Sequence, residues 1–200
     1  GANGSTTKTT GTDNVAIGNQ AGFAVTGSAN VYIGSQSGAG STTGARNSGG
    51  QNVAVGFGTL TNNSTGLNNV AFGYLSLNNN TTGKGNSAFG SQSLIQNTTG
   101  INNSAVGISA LSVNTSGNNN TAFGYQAGFS VNGGYSNTLI GDNSTTNNTI
   151  TTGGGNIGLG SNVFFPSAIG NQQLNIGNLV YGSLPATTTG FALPTSGSLG

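Results

Sequence analysis

A five-residue word recurs nine times in this 200-residue chain: Asn, any residue, a small or apolar residue, an apolar residue, then Gly. Its copies run Asn14 to Gly18, Asn30 to Gly34, Asn52 to Gly56, Asn69 to Gly73, Asn86 to Gly90, Asn103 to Gly107, Asn120 to Gly124, Asn137 to Gly141 and Asn156 to Gly160. Through Asn52, Asn69, Asn86, Asn103, Asn120 and Asn137 every step is 17 residues; elsewhere the steps are 16, 22 and 19, lengthened in Ser/Thr/Gly-rich stretches that read as loops. A fixed period of this kind means that each unit is one small element whose apolar face is covered only by its neighbours.

The second half of the unit repeats with the same step, in Asn63 to Gly66, Asn80 to Gly83, Asn97 to Gly100 and Asn114 to Gly117. Between the two words lies an apolar register, Leu60, Leu77, Leu94 and Leu111, which Gly128 interrupts. Seventeen residues are too few for a helix pair, and Gly, Asn, Ser and Thr at this density disfavour helices. Short β-prone triplets such as Val53 to Val55, each closed by a glycine (Gly56, Gly73, Gly90, Gly107, Gly124, Gly141), read as strands ending in tight bends. The expected fold is therefore all-β: a parallel β-solenoid, or β-roll, of about 17 residues per coil with two apolar patches, two strands and two turns in each coil. Nine or ten coils at about 4.8 Å spacing make a rod roughly 45 to 50 Å long.

In such a rod residue i lies over residue i−17, so every column is a ladder of like side chains. Asn52 to Asn137 can then chain their amides along the axis. Glycines 66, 83, 100 and 117 are expected to supply positive φ at one corner. Repeating a charge at one position would stack like charges about 5 Å apart, which is destabilising. The composition agrees, with three basic and two acidic side chains, a net charge of +1 and 38 glycines. Regularly placed Val, Ile, Leu and Phe with so little charge also set the chain apart from disordered tracts.

Alternation along the triplets places Ala54, Ala71, Ala88, Ala105 and Ala122 on one face and Val55, Phe72, Phe89, Val106 and Phe123 on the other. A lone solenoid has one interior, so an apolar outward column argues for contact with further copies, most simply around a threefold axis. Which face looks inward stays open at this level. Beside them the column Val53, Val70, Ser87, Ser104, Thr121 turns polar along the chain.

The words Asn-x-Ala-apolar-Gly, then Leu, then Asn-Thr-Thr-Gly, make the chain resemble the head repeats of trimeric autotransporter adhesins; they are also similar to bacteriophage tail-fibre repeats. The resemblance covers residues 14–160 and is strongest over 52–141. It implies parallel β-rolls, three chains side by side, displayed outside the cell. The coil here is a few residues longer than the usual head pattern. Residues 174–182 are similar to segments that precede cleavable chaperone domains in some tail fibres.

Three regions are expected: an N-terminal cap or docking segment at 1–13, the repeat domain at 14–160, and a C-terminal cap, linker or docking segment at 161–200, where all three prolines lie. Residue types exclude most chemistry. With no His, Cys, Met or Trp the chain lacks the commonest general base, the soft metal ligands and any disulfide, so no catalytic residue, cofactor or metal is expected. Its two carboxylates, Asp13 and Asp142, are 129 residues apart and read as turn or cap residues. No helix pattern follows Gly153 to Gly155, so the Gly-rich strings are structural rather than phosphate loops. The Asn-x-Ser/Thr triplets at Asn63, Asn80 and Asn97 follow from a repeated turn word rather than from glycan attachment. Tyr32, Tyr74, Tyr125, Tyr135 and Tyr181 read as packing residues, and Lys84 and Arg46 as exposed turn residues. A charge of +1 gives no grip on nucleic acid, and no apolar span of about 18 residues predicts membrane insertion.

The function expected is a non-catalytic structural one: a rigid extracellular or cell-surface fibre segment, adhesin or spacer, self-associating as a homotrimer or end to end as a filament, with sides able to touch a host or neighbouring cell surface. A phage tail-fibre shaft is the alternative. An ice- or ligand-binding array built on the Thr65, Thr82, Thr99 column, next to Ser64, Thr81, Thr98 and Thr115, is a lesser one.

Overall fold

The computed structural model describes residues 11–40, 47–144, 152–165, 167 and 169–183. Each repeat contributes one three-residue strand: β1 Val15–Ile17, β2 Val31–Ile33, β3 Val53–Val55, β4 Val70–Phe72, β5 Ser87–Phe89, β6 Ser104–Val106, β7 Thr121–Phe123, β8 Thr138–Ile140 and β9 Ile157–Leu159. Two four-residue strands follow, β10 Gln173–Ile176 and β11 Val180–Ser183. The strands form a single sheet in chain order. Every pair from β1 to β10 is parallel, with Ala54 over Ala71 over Ala88 over Ala105, so the sheet is the wall of a β-solenoid of about nine turns. The parallel register continues past residue 160 into β10, and β11 then returns antiparallel along it.

Among the described residues the expected second strand of each coil is absent. Its place is taken by a bent arc whose peptide groups still bond from coil to coil, as in Leu75 N–H to Phe57 O at 2.9 Å, Leu77 N–H to Ser93 O at 3.0 Å and Asn79 N–H to Ile95 O at 3.1 Å. The arc bends because alternate residues adopt left-handed backbone conformations. Leu60, Leu77, Leu94 and Leu111 all have φ of 49 to 50°. For a non-glycine residue this costs on the order of 1 to 2 kcal/mol. Complete burial of each leucine offsets that cost, since burying a Leu side chain is worth about 1.5 to 3 kcal/mol.

Positive φ falls on the strand-end glycines rather than on the column expected to supply it. The positive φ, 123 to 137°, belongs to Gly56, Gly73, Gly90, Gly107, Gly124 and Gly141 at the strand ends. Gly66, Gly83, Gly100 and Gly117 do not have it. They are glycine because of crowding: a Cβ on Gly66 would lie 2.4 Å from both the Asn63 Oδ1 and the Gly83 carbonyl of the next coil.

Two buried amide ladders run along the axis. In the first, the side-chain oxygen of each Asn accepts the backbone N–H of the Asn one coil on, from Asn14 through Asn30, Asn52, Asn69, Asn86, Asn103, Asn120, Asn137 and Asn156 to Gln173. Each Nδ2 also ties across its own coil, for example Asn103 to Gly117 O at 2.7 Å. In the second ladder Asn63, Asn80, Asn97 and Asn114 donate to the Oδ1 one coil earlier, starting at Asn47.

Between the ladders the core is one side chain thick, and large and small residues alternate so that neighbouring coils fill each other's gaps. Ala54, Ala71, Ala88 and Ala105 lie inward, paired with Leu60, Leu77, Leu94 and Leu111. Where the strand carries Tyr32 instead, the Leu register holds Gly38, on which a Cβ would fall 2.2 Å from the Tyr32 ring. In β9 the inward residue is Gly158, and Phe165 fills the space, its ring 3.0 Å from where a Cβ would be.

Two outcomes follow. Asn103→Ala orphans the Asn86 Oδ1 contact, the Gly117 carbonyl and the Asn120 donors, and lowers stability by about 2 to 4 kcal/mol in urea unfolding, whereas Gln96→Ala at an exposed position changes it by under about 0.5 kcal/mol. Tyr32→Ala and Gly38→Leu each destabilise, by cavity and by clash, while the double variant recreates the Ala/Leu coil and unfolds at a higher urea concentration than either single one.

Candidate functional site

With Ala inward, the flanking residues of each triplet point out. The central outward column is apolar on all ten parallel strands, from Ile17 in β1 through Phe72, Phe89 and Phe123 to Ile176 in β10. Exposure reaches 58% at Ile17 and 59% at Phe123. A leading column, Val53, Val70, Ser87, Ser104, Thr121 and Thr138, precedes it in the same strands. A trailing column, Phe57, Tyr74, Ser91, Ile108, Tyr125 and Asp142, follows it across the corner glycines. Sequence reading overlooked the trailing column because its chemistry varies; its signal is the fixed position one residue after each corner glycine.

The outward aromatic rings stack on each other along the rod. Phe72 and Phe89 lie 5.2 Å apart at 6°, and Phe57 and Tyr74 5.7 Å apart at 15°. Stacking covers ring faces and leaves edges outward, so these rings pack against apolar surface better than they would hold a sugar ring face-on.

The remaining sequence candidates are accounted for by the ladders. The fully buried Asn63, Asn80 and Asn97 use their Nδ2 groups in the second amide ladder, which removes them as glycan acceptors. The hydroxyls of Ser64, Thr81 and Thr98 donate to the carbonyls of Thr81, Thr98 and Thr115 at 2.8 to 3.0 Å. Only the Thr65, Thr82, Thr99 column is left exposed, short of the two-column flat face a water-ordering array needs. Asp13 precedes β1 and Asp142 follows β8, seven strand spacings or roughly 34 Å apart, so the two carboxylates are not brought together. The Asp142 carboxylate accepts the Tyr125 N–H at 3.2 Å. Gly153 to Gly155 abut the Tyr135 ring and the Gly170 carbonyl. Lys84, Tyr74, Tyr125 and Tyr135 are exposed, and Arg46 lies outside the described residues. Among the described residues no cluster of His, Cys, Asp or Glu with metal-binding spacing occurs, and no helix is long and apolar enough to cross a membrane.

Neither a family model, nor a curated protein, nor a solved structure matches the chain.

Among the described residues Tyr32 titrates well above its ordinary range. Burial pushes its phenol up to about 12, only partly countered by hydrogen bonds with Asn47 and Asn52. The folded state thus favours the neutral phenol relative to the unfolded chain, where the phenol titrates near 10. The associated stability is intact below pH about 10 and is lost as pH rises from about 10 to 12. A urea midpoint measured across that window falls for the native chain and falls less for Tyr32→Phe.

Proposed function

We propose that this chain is a non-catalytic structural segment of an extracellular fibre, a rigid β-solenoid that acts as adhesin or spacer on a microbial surface. The observation that carries the reading is the combination of an uninterrupted ladder of coils with an apolar outward column on every rung. Axial stacking gives a stiff rod whose length scales with the number of repeats. The side column supplies a lateral contact along that whole length, and a homotrimer accounts for it with one closed symmetry. Nearly neutral ladders suit a surface exposed to changing salt, because almost nothing on them is screened. The likeness of the repeat words to adhesin head repeats supports the same reading, as does the distance separating Asp13 from Asp142.

The test is location and shape. Antibodies raised against the chain are expected to label straight projections on intact cells or particles that produce it, and purified chains to appear as rods about 45 Å long per repeat block in electron micrographs. Labelling confined to permeabilised cells, or compact globular particles, would overturn the reading.

A further inference from the structure

We infer that the Asn132–Gly133 peptide is a self-modification site: it closes to a succinimide without an enzyme and opens to Asp or isoAsp, with the Thr115 hydroxyl assisting the ring closure. The inference stands on this corner of the coil and is independent of the fibre reading.

A break in the repeat marks the place. The turn word that reads Asn-Thr-Thr-Gly over 80–83 and 97–100 becomes Val-Asn-Gly-Gly over 131–134. Asn132 thus falls in the column of Ser64, Thr81, Thr98 and Thr115, and Gly133 in the column of Thr65, Thr82, Thr99 and Ser116. Gly133 has no positive φ, and threonine fills its place in other coils, so the backbone does not call for glycine there. What glycine brings is an amide nitrogen with no side chain beside it. Asn132 itself is exposed. This is the one Asn-Gly bond among the described residues, Asn3-Gly4 lying outside them.

The neighbours supply the chemistry. The hydroxyls of Ser64, Thr81 and Thr98 donate to a main-chain carbonyl one coil on, whereas that of Thr115 donates to the Asn132 Oδ1. A donor on Oδ1 draws charge from Cγ and stabilises the oxyanion that forms when the Gly133 nitrogen attacks. The new bond joins the Gly133 nitrogen to Cγ. The Cγ–Nδ2 bond breaks, and Nδ2 leaves as ammonia with the Gly133 amide proton. Water then adds to either imide carbonyl and breaks its bond to nitrogen, which gives Asp or isoAsp. Both products put a carboxylate where a neutral amide stood and lower the net charge of +1 by one.

The fold shields the other asparagines. After Asn52, Asn69, Asn86, Asn103, Asn120 and Asn137 the following N–H donates to a carbonyl of the next coil at 2.8 to 2.9 Å. After the exposed Asn68, Asn102 and Asn119 it donates to an Asn Oδ1 one coil back. Among the described residues no carbonyl accepts the Gly133 N–H.

Phe129 and Tyr135 flank the site, so chymotryptic digestion releases residues 130–135 as one fragment. After days at mildly alkaline pH the folded chain is expected to yield this fragment heavier by about 1 Da, the exchange of an amide NH2 for OH, while fragments carrying Asn103 and Asn120 keep their mass. Gly133→Thr restores the residue type of the repeat and slows the gain by about tenfold; Thr115→Val slows it several-fold. Thr115→Ser keeps the hydroxyl and reacts at the native rate, and unchanged circular dichroism shows that each variant is folded. A fragment of constant mass overturns the inference, as does an equal gain at Asn103 or a folded Thr115→Val chain that reacts as fast as the native one.

Discussion

Everything in this molecule depends on one requirement: a coil only 17 residues around, with a core one side chain thick, must find its hydrogen bonds in the next coil. Such a coil buries too little apolar surface to offset the entropy of ordering it. Backbone bonds between coils and the buried Asn ladder supply the remainder. Asparagine suits the ladder because one side chain offers an acceptor upward and donors both downward and across. Asn86 uses all three, toward the Asn103 N–H, the Asn69 Oδ1 and the Gly100 carbonyl. Aspartate in that column would stack like charges, and glutamine would overfill it; Gln173 occurs only at the last parallel rung.

That requirement was visible in the sequence to the extent that it is periodic. The 17-residue step, the parallel stacking, the Asn ladder and the recurrent Leu register all follow from residues that recur at one position. What sequence reading missed has no residue-type signature. Leucine is ordinarily a strand or helix residue, so nothing in Leu60 or Leu77 signals φ near 50°; only the closure of a short coil forces it. The two glycine columns look alike in sequence, yet only one needs positive φ, while a Cβ on either would crowd the next coil's carbonyl, at 2.6 Å for Gly56 and 2.4 Å for Gly66, and that carbonyl's position is a tertiary fact. The tyrosines all read as packing residues in the sequence, which holds for Tyr32, opposite Gly38 in the Leu register, and not for the exposed Tyr74, Tyr125 and Tyr135.

The outward surface shows the reverse relation. Its apolar central column was legible from alternation in the triplets, whereas its orientation needed the burial of Ala54 and its successors at 0%. The trailing column became part of the same face only once the corner glycines were placed.

Where the ladders end is as informative as where they run. At the sixth coil the second amide ladder stops: Val131 follows Asn114 in the register, and among the described residues Asn114 Oδ1 and Ser112 Oγ are buried without partners. At the same step Gly128 replaces the Leu register, and Leu139 from the next strand moves into its place, 3.0 Å from where a Cβ would sit. The first ladder passes through unbroken, with Asn120 bonded to Asn103 and Asn137 to Asn120. Stability in a stacked array is a sum of nearest-neighbour contacts. The junction between the sixth and seventh coils, like the one after it, therefore keeps one ladder of two. The outward apolar column also crosses that joint unbroken, with Val106 beside Phe123.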